Sequence, residues 1–127
     1  MKNVIQTTRA PQAIGPYSQA IRVNQTVYLS GQIPLDPVTM QLVSGDITKQ
    51  TEQVLQNMRV VCEEAGGCLD AIVRLTIFLT DLTHFAKVND VMMGFLTAPY
   101  PARSTVQVSA LPKAAQIEVE AIMVLAE

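Results

Sequence analysis

Tryptophan is absent from this chain, histidine occurs once, at His84, and cysteine twice, at Cys62 and Cys68. One histidine and two cysteines five residues apart supply neither a Cys-x-x-Cys redox pair nor half of a zinc site, so no protein-bound metal is expected. Cationic runs are also missing. Nine Lys+Arg stand against eleven Asp+Glu, a net charge of −2, and without a basic patch to meet the phosphate backbone nucleic acid is not an expected partner. No window approaches the length of a membrane span. The start, Met1-Lys2-Asn3-Val4-Ile5-Gln6, has a lysine but no apolar stretch after it, so the expected location is the reducing cytoplasm, or an organelle reached by a signal not visible here. A Gly-rich phosphate loop and a Ser-His-Asp set are lacking too, which removes the parts for phosphoryl transfer and serine hydrolysis.

What remains is 127 residues that are 49% apolar and 16% charged, the size of one domain, 1–127, whose core is built from aliphatics and methionine. That apolar excess suggests a surface that meets another subunit. Pro11, Gly15 and Pro16 make residues 10–19 a loop. Two short strands, Ser18–Val23 and Thr26–Ser30, follow across Asn24-Gln25 as a hairpin, and Gly31-Gln32-Ile33-Pro34 closes it. A second loop leads to Asp46, a plausible N-cap. Behind it Ile47, Val54, Leu55, Met58, Val61, Cys62 and Ala65 recur at steps of three and four, and Gly66-Gly67 supplies the stop. This is the plainest helix in the chain, with Cys62 a core residue on its stripe.

Asp70–Thr80 reads as a strand with Val73, Leu75, Ile77 and Leu79 on one side and Arg74, Thr76 and Phe78 on the other. Asp81-Leu82-Thr83 opens a second helix with a stripe of Leu82, Phe85, Val88, Met92, Phe95 and Leu96, ended by Pro99 and Pro101. Arg103–Ser109 and Gln116–Ala126 are the last two strands. The order is β-β-β-α-β-α-β-β, an α+β arrangement with two helices packed on one face of a mostly antiparallel sheet. The last two strands are expected to pair as a hairpin, with Arg103, Thr105, Gln107, Glu118, Glu120, Ile122 and Val124 on the uncovered face. A face of that mixed composition suits an oligomer interface better than bare solvent.

Pro101-Ala102-Arg103-Ser104-Thr105 and Ile117-Glu118-Val119-Glu120-Ala121 therefore place one guanidinium and two carboxylates on strands expected to be buried, where an unpaired charge is costly. Arg103 offers a planar fork that matches a carboxylate, either that of a ligand or that of Glu118 or Glu120 in a structural ion pair. If Ser109 pairs with Gln116, Arg103 lies about 13 Å along the strand from Glu118. The two then converge only from neighbouring subunits or through a ligand. Tyr17 is a movable lid or loop packing, Asn89 bonds a neighbouring loop or a ligand, and Gly31 permits a close approach or merely a turn.

Gly15-Pro16-Tyr17-Ser18, Ser30-Gly31-Gln32-Ile33-Pro34, Phe85-Ala86-Lys87-Val88-Asn89, Pro101-Ala102-Arg103-Ser104 and Ile117-Glu118-Val119-Glu120-Ala121 occur in that order. Together they resemble the signatures of the YjgF family, the RidA-type enamine/imine deaminases, almost from end to end. The resemblance implies a chorismate-mutase-like fold and a homotrimer with clefts between subunits. It implies hydrolysis of 2-aminoacrylate-type enamines and imines to 2-oxo acids and ammonia without a cofactor. It assigns the substrate carboxylate to Arg103, the attacking water to Glu118, and further substrate contacts to Tyr17, Ser30, Gly31, Asn89 and Thr105. Many bacterial members carry Cys where this chain has Thr105, so an altered substrate preference is expected. A module that binds 2-oxo acids without turnover is the alternative.

Overall fold

The computed structural model describes residues 1–126. Its strands are β1 (Asn3–Ile5), β2 (Ala20–Val23), β3 (Thr26–Gln32), β4 (Ile72–Leu79), β5 (Ala102–Gln107) and β6 (Ile117–Val124), with helices α1 (Ile47–Glu64) and α2 (Phe85–Phe95). All six strands form one sheet in the order β1-β2-β3-β6-β4-β5. Every neighbouring pair is antiparallel except β4 and β5. The two helices pack on each other and on one face of this sheet, an α+β fold.

Helix α1 forms where its caps and its stripe agree. The Asp46 carboxylate accepts from the Lys49 amide at 3.1 Å, and past the far end Gly66 turns at φ +95° while the Gly67 amide reaches the Cys62 carbonyl at 2.9 Å. Such a left-handed C-terminal residue satisfies carbonyls that the helix leaves open. Val54, Leu55, Met58, Val61 and Cys62 are at most 1% exposed, each contributing about 1.5–3 kcal/mol for the larger side chains. They meet Ile117, Val119, Ala121 and Met123 of β6 and Leu75, Ile77 and Leu79 of β4, all buried. Cys62 is a core residue, and burial pushes its thiol up to about 12.

The last two strands are not the hairpin that their short connection suggests. β6 lies between β3 and β4, and β5 pairs with the far edge of β4, parallel to it, with Leu75 level with Arg103 and Ile77 level with Thr105. The reason is composition and connection. β6 is apolar at every position but Glu118 and Glu120 and can be buried at the sheet centre, whereas the polar β5 suits an edge, and α2 supplies the crossover that a parallel pair requires.

One consequence reverses a face. Paired residues point to the same side, so Arg103, Thr105 and Gln107 share the helix side with Leu75, Ile77 and Leu79. They are not on the uncovered face, and Arg103 is exposed rather than buried. Glu118, Glu120, Ile122 and Val124 do lie on the open side, with Arg74, Thr76 and Phe78, Tyr28 at 50% exposure and Val106 at 41%. Smaller departures have local causes. Asp70 falls in a single 3₁₀ turn, Leu69–Ala71, before β4, and a register shift between Ile72 and Arg74 leaves Val73 47% exposed. The Asp81 carboxylate caps another 3₁₀ turn, Leu82–His84, by accepting from the Thr83 amide at 3.0 Å. α2 starts only at Phe85, so Leu82 and Phe85 stay partly exposed while Val88 and Met92 are buried.

Candidate active site

Glu118 is half-buried on the open side of β6, and the strand beside it is deformed to receive it. Along the β3–β6 ladder Leu29 pairs with Ala121 and the next pair is Gln32 with Val119. β3 therefore carries one extra residue at Ser30-Gly31, a bulge of the kind that re-aims side chains beside functional sites. The Glu118 side chain lies directly over Gly31. A Cβ there would stand 2.8 Å from Glu118 Cδ and collide with Oε2. Gly31 thus serves a close approach, and not merely a turn.

Burial, and secondarily the Glu120 carboxylate, raise the pKa of Glu118 above the ordinary glutamate value. Both causes disfavour the anion, which makes the carboxylate a better proton acceptor nearer neutral pH. Among the described residues neither Glu118 nor Glu120 has a cationic partner within 4.0 Å.

A strap across the bulge fixes the residues facing Glu118. Ser30 donates its hydroxyl to the Ser18 carbonyl at 2.6 Å, and its amide donates to the Gln19 carbonyl at 3.0 Å. Gln19, which sequence reasoning passed over, is the organising residue. It is 4% exposed. Its Oε1 accepts from the Thr7 amide at 2.7 Å, and its Nε2 faces the carbonyls of Thr7, Ala10 and Pro11 at 3.1, 3.4 and 2.7 Å. One buried amide thereby holds both ends of the 7–19 loop, and nothing in the local pattern separates such a glutamine from an exposed one. Tyr17 projects from this loop, 52% exposed. Its phenol oxygen accepts from the Ile14 amide at 3.4 Å. Tyr17, Ser30, Gly31, Glu118 and Glu120 all line one cleft of about 660 Å³, with Lys113 at its rim.

Arg103 and Asn89 lie elsewhere. Arg103 Nη1 donates to Asn89 Oδ1 at 2.6 Å, and the guanidinium carbon stands 5.2 Å from the centre of the Phe85 ring. The amide and the ring hold the planar fork in one orientation and leave its other donors free. Asn89 thus bonds the arginine rather than a loop. The pair opens on a second cavity, about 480 Å³, between α2 and the Tyr100-Pro101 segment. Thr105, the next residue on the same side of β5, lines neither cavity, and its hydroxyl is buried without a hydrogen-bond partner among the described residues.

No ion pair links Arg103 to Glu118 or Glu120 within the chain. Arg103 is level with Leu75 and Glu118 with Phe78, two strands apart. From strand geometry their backbones are about 14 Å apart, and their side chains leave opposite faces of the sheet. The convergence expected of them is not reached inside one protomer. No group of three or more His, Cys, Asp or Glu side chains among the described residues is placed to hold a metal ion, and no described helix is long and apolar enough to cross a membrane.

Known proteins resemble this chain over nearly its whole length. The chain matches the family model described as endoribonuclease L-PSP over residues 7–125. It is 50% identical over 125 residues to protein DfrA of Myxococcus xanthus, covering 97% of this chain and 95% of that one. It is 46% identical to the 2-iminobutanoate/2-iminopropanoate deaminase of Dermatophagoides farinae, covering 98% and 97%. Among solved structures, RidA from the Antarctic bacterium Psychrobacter sp. PAMC 21119 superposes with a TM-score of 0.94 at 49% identity, covering 97% and 99%. E. coli TdcF, solved with bound serine, superposes at 0.92 with 41% identity, covering 98% and 100%. The chain belongs to the YjgF/RidA family.

Proposed function

We propose that this protein hydrolyses 2-imino acids and their 2-aminoacrylate-type enamine tautomers to 2-oxo acids and ammonia, in clefts shared by neighbouring copies of a homotrimer. One observation carries the reading. A carboxylate of raised proton affinity sits unpaired in a cleft, and a pre-oriented guanidinium sits unpaired on the opposite face of the same chain. Each is half of a site, and a closed ring of copies brings the halves together. Relatives named as 2-imino acid deaminases and a neighbour holding serine support a small amino-acid-derived ligand.

In this reading the partner copy's guanidinium pairs in two parallel hydrogen bonds with the substrate carboxylate and fixes the C=N carbon near Glu118. An enamine first takes a proton at its terminal carbon and becomes the imine. Glu118 removes a proton from water as its oxygen bonds to the C=N carbon, whose nitrogen has been protonated. The carbinolamine then collapses: the proton held by Glu118 passes to the nitrogen, the C–N bond breaks to release ammonia as the C=O bond forms, and the hydroxyl proton goes to Glu118 and on to solvent. Water is consumed and no redox change occurs, so the step requires no cofactor. The endoribonuclease of the family description gains no support from this cleft, because among the described residues Lys113 is the one cation lining it and no basic patch meets a phosphate backbone.

The test is freshly generated 2-aminoacrylate, scored by pyruvate formation. A rate above the spontaneous one, lost in Glu118→Gln, supports the reading. Binding of 2-oxo acids with no acceleration overturns it in favour of a binding module.

A further inference from the structure

The cleft around Glu118 is of the size, about 300–1,000 Å³, that accommodates drug-sized ligands, whereas 2-iminopropanoate has only a handful of non-hydrogen atoms. Its lining is also divided. Besides three glutamines and Lys113, Tyr17, Ser30, Gly31, Glu118 and Glu120 supply the polar part, and the chain leaving the bulge continues through Ile33 and Leu35 to Met40, which belong to the apolar part. We propose that Ile33, Leu35 and Met40 form a side-chain pocket, so that the preferred substrates are 2-imino acids with long aliphatic or thioether side chains. The inference rests on the hydrolytic reading above and adds the substrate's side chain to it.

This wall is built in advance of any ligand. Leu35 and Leu42 bridge antiparallel across the loop, the Asp36 amide donates to the Gln41 carbonyl at 2.9 Å, and the Val43 amide to the Pro34 carbonyl at 2.9 Å. The Asp36 carboxylate accepts from the amides of Val38 and Thr39 at 2.8 and 3.1 Å. Met40 is held at φ +59°, a left-handed conformation that a methionine adopts only when its surroundings impose it. From α1, the buried Asn57 donates to the Leu35 carbonyl at 2.9 Å, and Gln53 donates in turn to Asn57 Oδ1 at 2.9 Å. Asn57 is therefore a positioning residue for the wall. A pre-formed apolar surface continuous with a polar reaction centre discriminates by side-chain length, and a thioether at its edge adapts to branched or linear chains. All of these residues come from one protomer.

Each methylene buried from water contributes a factor of about four. An isobutyl side chain buries up to three more carbons than a methyl, so kcat/KM for the imine of leucine should exceed that for the imine of alanine by at least about tenfold. Imines are generated in situ from the amino acids by an oxidase and followed by semicarbazone trapping. Met40→Gly removes the edge of the wall at a backbone position glycine accepts, and Asn57→Ala releases the Leu35 carbonyl. Both should lower the leucine-to-alanine ratio at least about fourfold, a readout that loss of folded protein does not move. Acceleration of both imines at equal rates, or faster hydrolysis of the shorter one, overturns the pocket and leaves the hydrolytic reading standing. If neither imine is accelerated, the hydrolytic reading fails. Calorimetry with 4-methyl-2-oxopentanoate against pyruvate then decides the pocket, equal affinities overturning it.

Discussion

Replacing Gly31 with alanine tests the contact on which the site is built. The added methyl would stand 2.8 Å from Glu118 Cδ and 3.1 Å from Cγ, where carbon atoms rest at about 3.5–4.0 Å. The carboxylate must retreat by most of an ångström. Misplacing a reacting group by that much costs on the order of a hundredfold in rate. The fold should notice little. Gly31 is not in the left-handed region, and the obstructing atoms belong to a half-exposed, flexible side chain, so the overpacking cost should be at the low end, about 1 kcal/mol. That corresponds to about 4 °C in Tm for a domain of this size. Steady-state kinetics with in situ imine and a thermal melt on the same preparation give both quantities. Gly31→Ala combined with Glu118→Asp shortens the displaced side chain and should recover part of the loss, a coupling that two independent sites would not show. Wild-type kcat/KM in Gly31→Ala, or strictly additive losses in the double variant, would refute the reasoning.

Three further outcomes follow from the same geometry. Arg103→Lys keeps the charge but loses the planar fork oriented by Asn89 and Phe85, so kcat/KM should fall at least about tenfold with the melting temperature unchanged. Thr105→Val removes a buried hydroxyl that has no partner among the described residues and should raise stability by about 1 kcal/mol in denaturant titration, with turnover within about tenfold of wild type. A stability loss or a larger rate loss would mean the hydroxyl is bonded in the working assembly. For Glu118 the folded pKa is raised, chiefly by burial. Folding then favours the protonated form, and its contribution is fully present below the unfolded pKa and lost as pH rises through the folded one. Glu118→Gln should therefore be more stable than wild type at neutral pH and indistinguishable in acid, as measured by melts across pH 4–8, on the order of the range where a raised carboxylate titrates.

Helix α1 was legible because three independent signals coincide on it: a capping aspartate, an unbroken stripe and a Gly-Gly stop. The order of elements from β2 onward, the helices on one face and the mixed open face were legible from hydrophobic periodicity, whereas β1, three residues at the sheet edge, carried no periodic signal and was not located. What failed was pairing. Alternation in β5 and β6 says which residues share a face within each strand, and says nothing of which strand lies beside it. The short run 110–115 between the two expected strands looked like a hairpin loop, yet β4 lies between β5 and β6. That misplacement put Arg103 on the wrong side of the sheet. The expectation that Arg103 and Glu118 of one chain do not meet nonetheless holds, for a different reason: a strand and a face separate them, and not register alone. Tyr17, Gly31 and Asn89 could each be read two ways from their own chemistry, and only the family motifs favoured the ligand-facing reading. Gln19 shows why, since its three-way clamp depends on the path of a loop that local pattern does not fix.

The central claim is that Glu118 of one copy works with Arg103 of another, and complementation between two disabled variants measures it most directly. Arg103→Ala retains the glutamate and Glu118→Gln retains the arginine, and each alone should be nearly inactive. Co-expressed in equal amounts and assembled at random, they should regenerate about a quarter of the wild-type sites, because each cleft draws its glutamate and its arginine independently from the two kinds of copy. Imine hydrolysis near that fraction is the predicted result, and a mixture no more active than the sum of its two parents would contradict the account.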